Sequence, residues 1–259
     1  MTSTSTSRLA ATRVFDDAAP RSASRRYDAG LVRFTARDAA GLVLAGDMYG
    51  APYDLLAASM GVSTARVRSI MCRWRRAGLA ETGVIGPGPA WSWLTGAGMR
   101  AAGLRFAVRQ PPLARLAHIR AVLAVRIVLE GGEEFAAGSA WWRSERRIRA
   151  AAGLTKDHVP DAEVHWPDEP SSPYPGETWA IEAELTPKGT ARTTAIMTGL
   201  LTRPSTGGHS GTKARYDYVV YLCAPAALPG VHRAAALMSP ALTAGDRLAV
   251  RELPEGAML

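Results

Sequence analysis

Residues 54–79, DLLAASMGVSTARVRSIMCRWRRAGL, decide how this chain is read. DLLAASM (54–60) predicts a short helix with Asp54 as its N-cap. Gly61-Val62-Ser63 predicts a tight turn. Ser63 then caps a second helix running to about Ala77, with Gly78 in the usual place of a C′ glycine. On that helix Val67, Ile70, Met71 and Trp74 recur at helical spacing and form one buried stripe. Arg66 and Arg73 flank the stripe on one side, Arg68 and Arg75 on the other, while Ser69 and Arg76 point away from it. Between Asp54 and Glu81 there is no acid. A helix with an apolar back and such a front fits a major groove: Ser63, Thr64 and Arg66 would meet base edges, and the later arginines phosphates. On the alternative reading the arginines are the solvated face of a helix pair packed into a larger core.

Working outward, residues 1–28 are polar, Arg/Ser-rich and aperiodic, and read as a flexible basic arm. A helix is expected from a cap at Thr35 through Met48. ETGVI and AWSWL flank Gly86-Pro87-Gly88-Pro89 as two short strands around a turn, and Thr95 begins another helix. Gln110-Pro111-Pro112 marks a boundary between domains at 29–110 and 111–259. The 259 residues carry 31 basic and 23 acidic side chains and are 47% hydrophobic, which excludes a disordered chain. Residues 1–110 hold 15 arginines, no lysine and 7 acids, whereas residues 111–259 hold 16 basic and 16 acidic residues. All of the excess charge lies in the first half, where it would attract a polyanion such as double-stranded DNA. No apolar run is long enough to span a membrane. The start lacks the apolar segment of a secretory signal, and Cys72 and Cys223, set in apolar sequence, make no disulfide framework; a cytoplasmic home is expected.

In the second half, LARLAHIRAVLAVRIVLEG predicts a long apolar helix over 113–130. AWWRSERRIRAAAGL is part strand and part helix, with Trp141 and Trp142 expected to anchor a sheet to the long helix. Strands follow at HVPDAEVHW, TWAIEAELT and YDYVVYLCAP, with a helix at TARTTAIMTGLLTR, a flexible loop containing His209, and a final helix and edge strand. Alternation puts Glu182 and Glu184 on one strand face. Two neighbouring carboxylates are costly to bury without a cation. With Asp161 facing them, the three would make a hard-oxygen site for Mg²⁺, or Mn²⁺, and Lys188 could reach a phosphate or water. Otherwise Glu182 and Glu184 are the solvated face of an edge strand. His118, on an apolar helix, reads as a core histidine, His158 as a phosphate contact or an exposed side chain, and Arg192 as a DNA contact or a partner of Glu184.

Residues 54–79, with the hairpin and LTGAG that follow, resemble the winged helix-turn-helix family. Asp161, Glu182-x-Glu184 and Lys188 resemble the PD-(D/E)xK nuclease-like pattern, except that Glu184 occupies the family's lysine position; Glu145 would correspond to its upstream glutamate. Together with His118 and W-x-SER-x-x-R, these motifs resemble the actinobacterial replication-relaxation family over about residues 35–225. The resemblance implies an α+β fold: an N-terminal winged helix-turn-helix followed by a PD-(D/E)xK nuclease-like α/β domain. It also implies a role in plasmid or mobile-element replication or relaxation. Two versions of that role stay open. In one, Asp161, Glu182, Glu184, Lys188 and Glu145 form a Mg²⁺-dependent DNA nickase. In the other, the protein is a non-catalytic transcription or copy-number regulator whose second domain supplies homodimer or partner contacts. A third class is an interaction protein whose basic surface binds an acidic partner.

Overall fold

The computed structural model describes residues 34–153, 157–204 and 214–258. The arm expected at 1–28 and the loop around His209 lie outside the described residues.

Helix α1 (Ala36–Asp47) starts in a capping box: the Thr35 hydroxyl accepts from the Asp38 N–H, and the Asp38 carboxylate accepts from the Thr35 N–H, both at 3.1 Å. A short strand β1 (Ala51–Pro52) leads into α2 (Tyr53–Met60). Pro52, not Asp54, holds the N-cap position. Asp54 lies in the first turn and accepts two bonds from Arg120, at 3.0 and 2.6 Å. Gly61 ends α2 at φ 61°, a left-handed conformation that favours glycine. The Ser63 hydroxyl then caps α3 (Thr64–Arg76) by accepting from the Arg66 N–H at 3.2 Å. The expected stripe of Val67, Ile70, Met71 and Trp74 is buried.

Strands β2 (Ala80–Gly83) and β3 (Trp91–Leu94) form the expected hairpin and, with β1, an antiparallel sheet of order β1-β3-β2. Thr95 caps α4 (Gly96–Ala101), where a Cβ on Gly98 would stand 1.9 Å from the Leu79 carbonyl oxygen, so only glycine fits. After one 3-10 turn at Leu113–Arg115 comes α5 (Leu116–Glu130). There follow α6 (Glu133–Ala137), β4 (Trp141–Ser144), α7 (Glu145–Ala152), β5 (Ala162–His165), β6 (Thr178–Glu184), α8 (Thr190–Thr202), β7 (Tyr218–Cys223), α9 (Leu228–Ala236), α10 (Pro240–Thr243) and β8 (Leu248–Glu252). Within AWWRSERRIRAAAGL, strand gives way to helix at Ser144, whose hydroxyl caps α7. The second sheet runs β4-β5-β6-β7-β8, antiparallel up to β6 and parallel from β6 to β8.

Every residue of α5 from Ile119 to Arg126 is buried. A helix buried all round is covered on opposite sides: α5 packs on α2 and β1 and also on β4 and β6. One apolar core therefore runs from Leu42 and Trp74 through Leu123 to Val164 and Ala183, across the break at Gln110-Pro111-Pro112. A second core lies on the opposite face of the sheet, where Met197, Leu200, Val219, Tyr221 and Val231 join α8 and α9 to β6 and β7. This corrects the expected fold class. The chain is not a winged helix-turn-helix followed by a PD-(D/E)xK nuclease-like domain. It is an α+β unit over Phe34–Leu259 in which a three-stranded sheet and a mixed five-stranded sheet share α5. Two smaller expectations also change. Cys72 is exposed on α3 while Cys223 is buried, and Trp141 is 51% exposed while Trp142 is buried under Arg126.

Candidate functional site

Two chemically distinct surfaces emerge. The first is the outer side of α3. Arg66, Arg68, Arg75 and Arg76 are exposed there and have no acidic partner among the described residues, while Arg73 turns aside to Asp38 at 2.8 Å. Ser69 is exposed, its hydroxyl turned to the Ala65 carbonyl, and Thr64 is half-buried. Four such guanidiniums on a helix front with no acid make a strongly positive strip.

The second lies at one end of the mixed sheet. Glu182 and Glu184 are both 5% exposed, on a strand flanked by β5 and β7, so they are not the solvated face of an edge strand. Each acid has a basic side chain beside it. His158 Nε2 stands 2.7 Å from Glu182 Oε1, Lys188 Nζ 2.6 Å from Glu184 Oε2, and His118 Nε2 2.8 Å from Asp161 Oδ1. The other Asp161 oxygen accepts the Ala183 N–H at 2.8 Å, which fastens the loop before β5 to β6. Glu145, at the start of α7, accepts from Arg115 at 2.7 Å and from Arg149 at 2.8 Å. Asp161, His118, Arg115 and Glu145 line one cavity of ≈ 20 Å³, on the order of a single water molecule. Tyr221, in register with Glu182 across β6 and β7, buries a hydroxyl with no hydrogen-bond partner among the described residues.

Burial pushes the Glu182 carboxyl up to about 7; the His158 hydrogen bond pulls the other way and the Asp161 charge adds to the rise. The His158 ring is raised by its hydrogen bond to Glu182, against burial. Burial opposes the rise of His118 as well, but the hydrogen bond and charge of Asp161 outweigh it. Burial and then Glu184 push the Cys223 thiol up to about 12.

Among the described residues no three His, Cys, Asp or Glu side chains stand together as a group that could hold a metal ion. Asp161, Glu182 and Glu184 are gathered at one sheet end, but each is tied to its own basic partner: His118, His158 and Lys188. Arg192 is exposed and makes no bond to Glu184. The residue that sequence reasoning undervalued is His118. Its signal was a polar ring in an otherwise apolar helical run, but the Asp161 partner lies 43 positions away.

No family model and no curated protein matches the chain. A search of solved structures finds similarity to the crystal structure of an O-methyltransferase (NcsB1) from neocarzinostatin biosynthesis in complex with S-adenosyl-L-homocysteine. That structure is 14% identical, the match covers 85% of this chain and 68% of that one, and the TM-score is 0.21. Such a superposition assigns neither fold nor chemistry. The replication-relaxation resemblance is corrected accordingly: no family model carries it, and its short motifs sit in a different arrangement, one unit built around α5. No helix among the described residues is long and apolar enough to cross a membrane.

Proposed function

We propose that this chain binds duplex DNA through the outer face of α3. The observation that carries the reading is the row of guanidiniums at Arg66, Arg68, Arg75 and Arg76, without an acidic partner among the described residues, on a helix whose back is locked into the core by Trp74. Ser63 and Arg66 stand at the helix N-terminus, where side chains reach base edges when a helix enters the major groove; the later arginines suit phosphates. Arg66→Ala should weaken binding to a duplex site by ~1–3 kcal/mol. Unchanged affinity in a fluorescence-anisotropy titration would remove the base-contact role.

A second reading, phosphodiester hydrolysis, is favoured by the His118–Asp161 pair facing Arg115 across a water-sized cavity. Asp161 engages Nε2, which leaves His118 Nδ1 to take a proton from water while the water oxygen attacks phosphorus. The phosphorus–oxygen bond to the leaving group breaks, that oxygen takes a proton from solvent, and Arg115 offsets the charge on the phosphoryl oxygens. As placed, the three acids do not fit a Mg²⁺ or Mn²⁺ ion, so no step is routed through one. The expected result is nicking of supercoiled DNA that persists in EDTA and is lost in both His118→Ala and Asp161→Asn. Nicking that requires Mg²⁺ would transfer the chemistry to the carboxylates, and duplex binding without any nicking would leave a non-catalytic regulator.

A further inference from the structure

Sheet face, helix α7 and the end of α8 enclose a groove that is separate from the α3 strip and meets the acidic cluster only at His158. Three cavities of ≈ 570, 460 and 400 Å³ run together along it. The first is lined by Arg105, Arg147, Trp141 and Arg143. The second shares Arg143 and Ala151 with the first and adds Arg203, Arg215 and one carboxylate, Asp157, which also lines the third. The third shares Arg203 and Pro204 with the second and ends on Arg192 and His158. Each alone has the volume of a small-molecule pocket, so the run accommodates several consecutive units rather than one compact ligand.

The guanidiniums are aimed rather than merely present. Arg143 and Arg215 are held by the buried Glu163, at 3.1 and 2.6 Å, and Arg147 by the buried Asp47 at 2.7 Å. Arg203 donates to the His158 carbonyl at 2.6 Å. Arg105 and Arg192 are exposed at the two ends and have no acidic partner among the described residues. The mouth carries an aromatic platform. Trp141 stacks on His165 at 5.1 Å with an interplanar angle of 10°, and is 51% exposed. His165 covers one face of the indole and leaves area for a further ring. A chain of cationic side chains beside an open stacking face is the pairing that grips the backbone and unstacked bases of a single strand. A duplex keeps its bases stacked internally and cannot use the indole.

We infer that this groove binds single-stranded nucleic acid, with a base on Trp141 and the backbone led along Arg143, Arg215 and Arg203 towards His158. The inference is independent of duplex binding by α3. It is tested by anisotropy with a fluorescein-labelled oligothymidine of about 20 nucleotides, beside an oligouridine of equal length, long enough to cover one such site. Trp141→Ala should weaken binding about 5- to 150-fold, and Trp141→Phe should restore most of it. Arg105→Ala with Arg192→Ala should flatten the salt dependence by about 0.7 for each phosphate these two side chains neutralise. Trp141→Ala should leave duplex binding through α3 unchanged, which separates failure here from failure of the α3 reading. Tighter binding of the thymidine strand would make the ligand DNA, and tighter binding of the uridine strand RNA; either result supports the groove. The inference is overturned if wild type shows no single-strand affinity, or if folded Trp141→Ala, checked by circular dichroism, binds as wild type does.

Discussion

Glu163→Gln should lower the free energy of unfolding by about 3–5 kcal/mol, the scale found when one partner of a buried charge pair is removed. Glu163 lies on β5, fully buried, and one carboxylate answers four side chains. Arg215 donates at 2.6 and 3.2 Å, Tyr216 at 2.8 Å, Arg143 at 3.1 Å and His165 at 3.0 Å. The amide of the variant matches the shape but not the charge, so two guanidiniums lose their counter-ion. Burial pushes this carboxyl up, yet His165, Arg215 and Tyr216 together bring it down from the ordinary 4.5 to about 2. A depressed carboxyl contributes stability above its unfolded value and loses it as the pH falls through the folded one. The gap between wild type and variant should therefore be full above pH 4.5 and close on the way to about pH 2. Urea midpoints across that range check it, and a gap independent of pH would contradict it.

Asp47→Ala is expected to cost a similar ~3–5 kcal/mol, because it too strips a buried carboxylate from its cations. Asp47 ends α1 at 1% exposure and accepts from Arg126 of α5 at 3.0 Å, Ser144 at 2.9 Å and Arg147 of α7 at 2.7 Å. The residue clasps the three-stranded part of the molecule to the helices beside the mixed sheet. Exposed pairs such as Arg149 with Glu145 contribute at most about 1 kcal/mol, so the contrast is measurable by denaturant unfolding. Because one core joins the two sheets, unfolding followed by tryptophan fluorescence and by circular dichroism should remain coincident. A destabilisation under about 1 kcal/mol would mean that Asp47 does not hold these elements together.

Much of the local structure was legible. The stripe on α3, the Ser63 and Thr95 caps, the hairpin around Gly86-Pro87-Gly88-Pro89 and the apolar strands β6 and β7 each follow from a pattern spanning few residues. β1, α6 and α10 escaped because two to five residues are too short to show a period. The joined core escaped for a different reason. Its signal was the all-round apolar character of α5, but the acids that join its buried Arg120 and Arg126 to the first sheet's helices are Asp54 and Asp47, 66 and 79 positions away, whereas Glu130, the local partner of Arg126, lies on α5 itself. No local window contains either of those two long-range pairs. The same distance concealed the site: Asp161, Glu182 and Glu184 were visible as acids, whereas their partners His118 and His158 became partners only through folding.

The measurement closest to the central claim is the salt dependence of duplex binding for wild type and for a chain with Arg66, Arg68, Arg75 and Arg76 all changed to Ala. If each guanidinium meets a phosphate, wild type should show a logarithmic slope steeper by about 3 to 4 than the variant, near 0.9 for every phosphate neutralised. Equal slopes and equal affinities would contradict the account, and would leave α3 as a solvated helix face with no part in holding DNA.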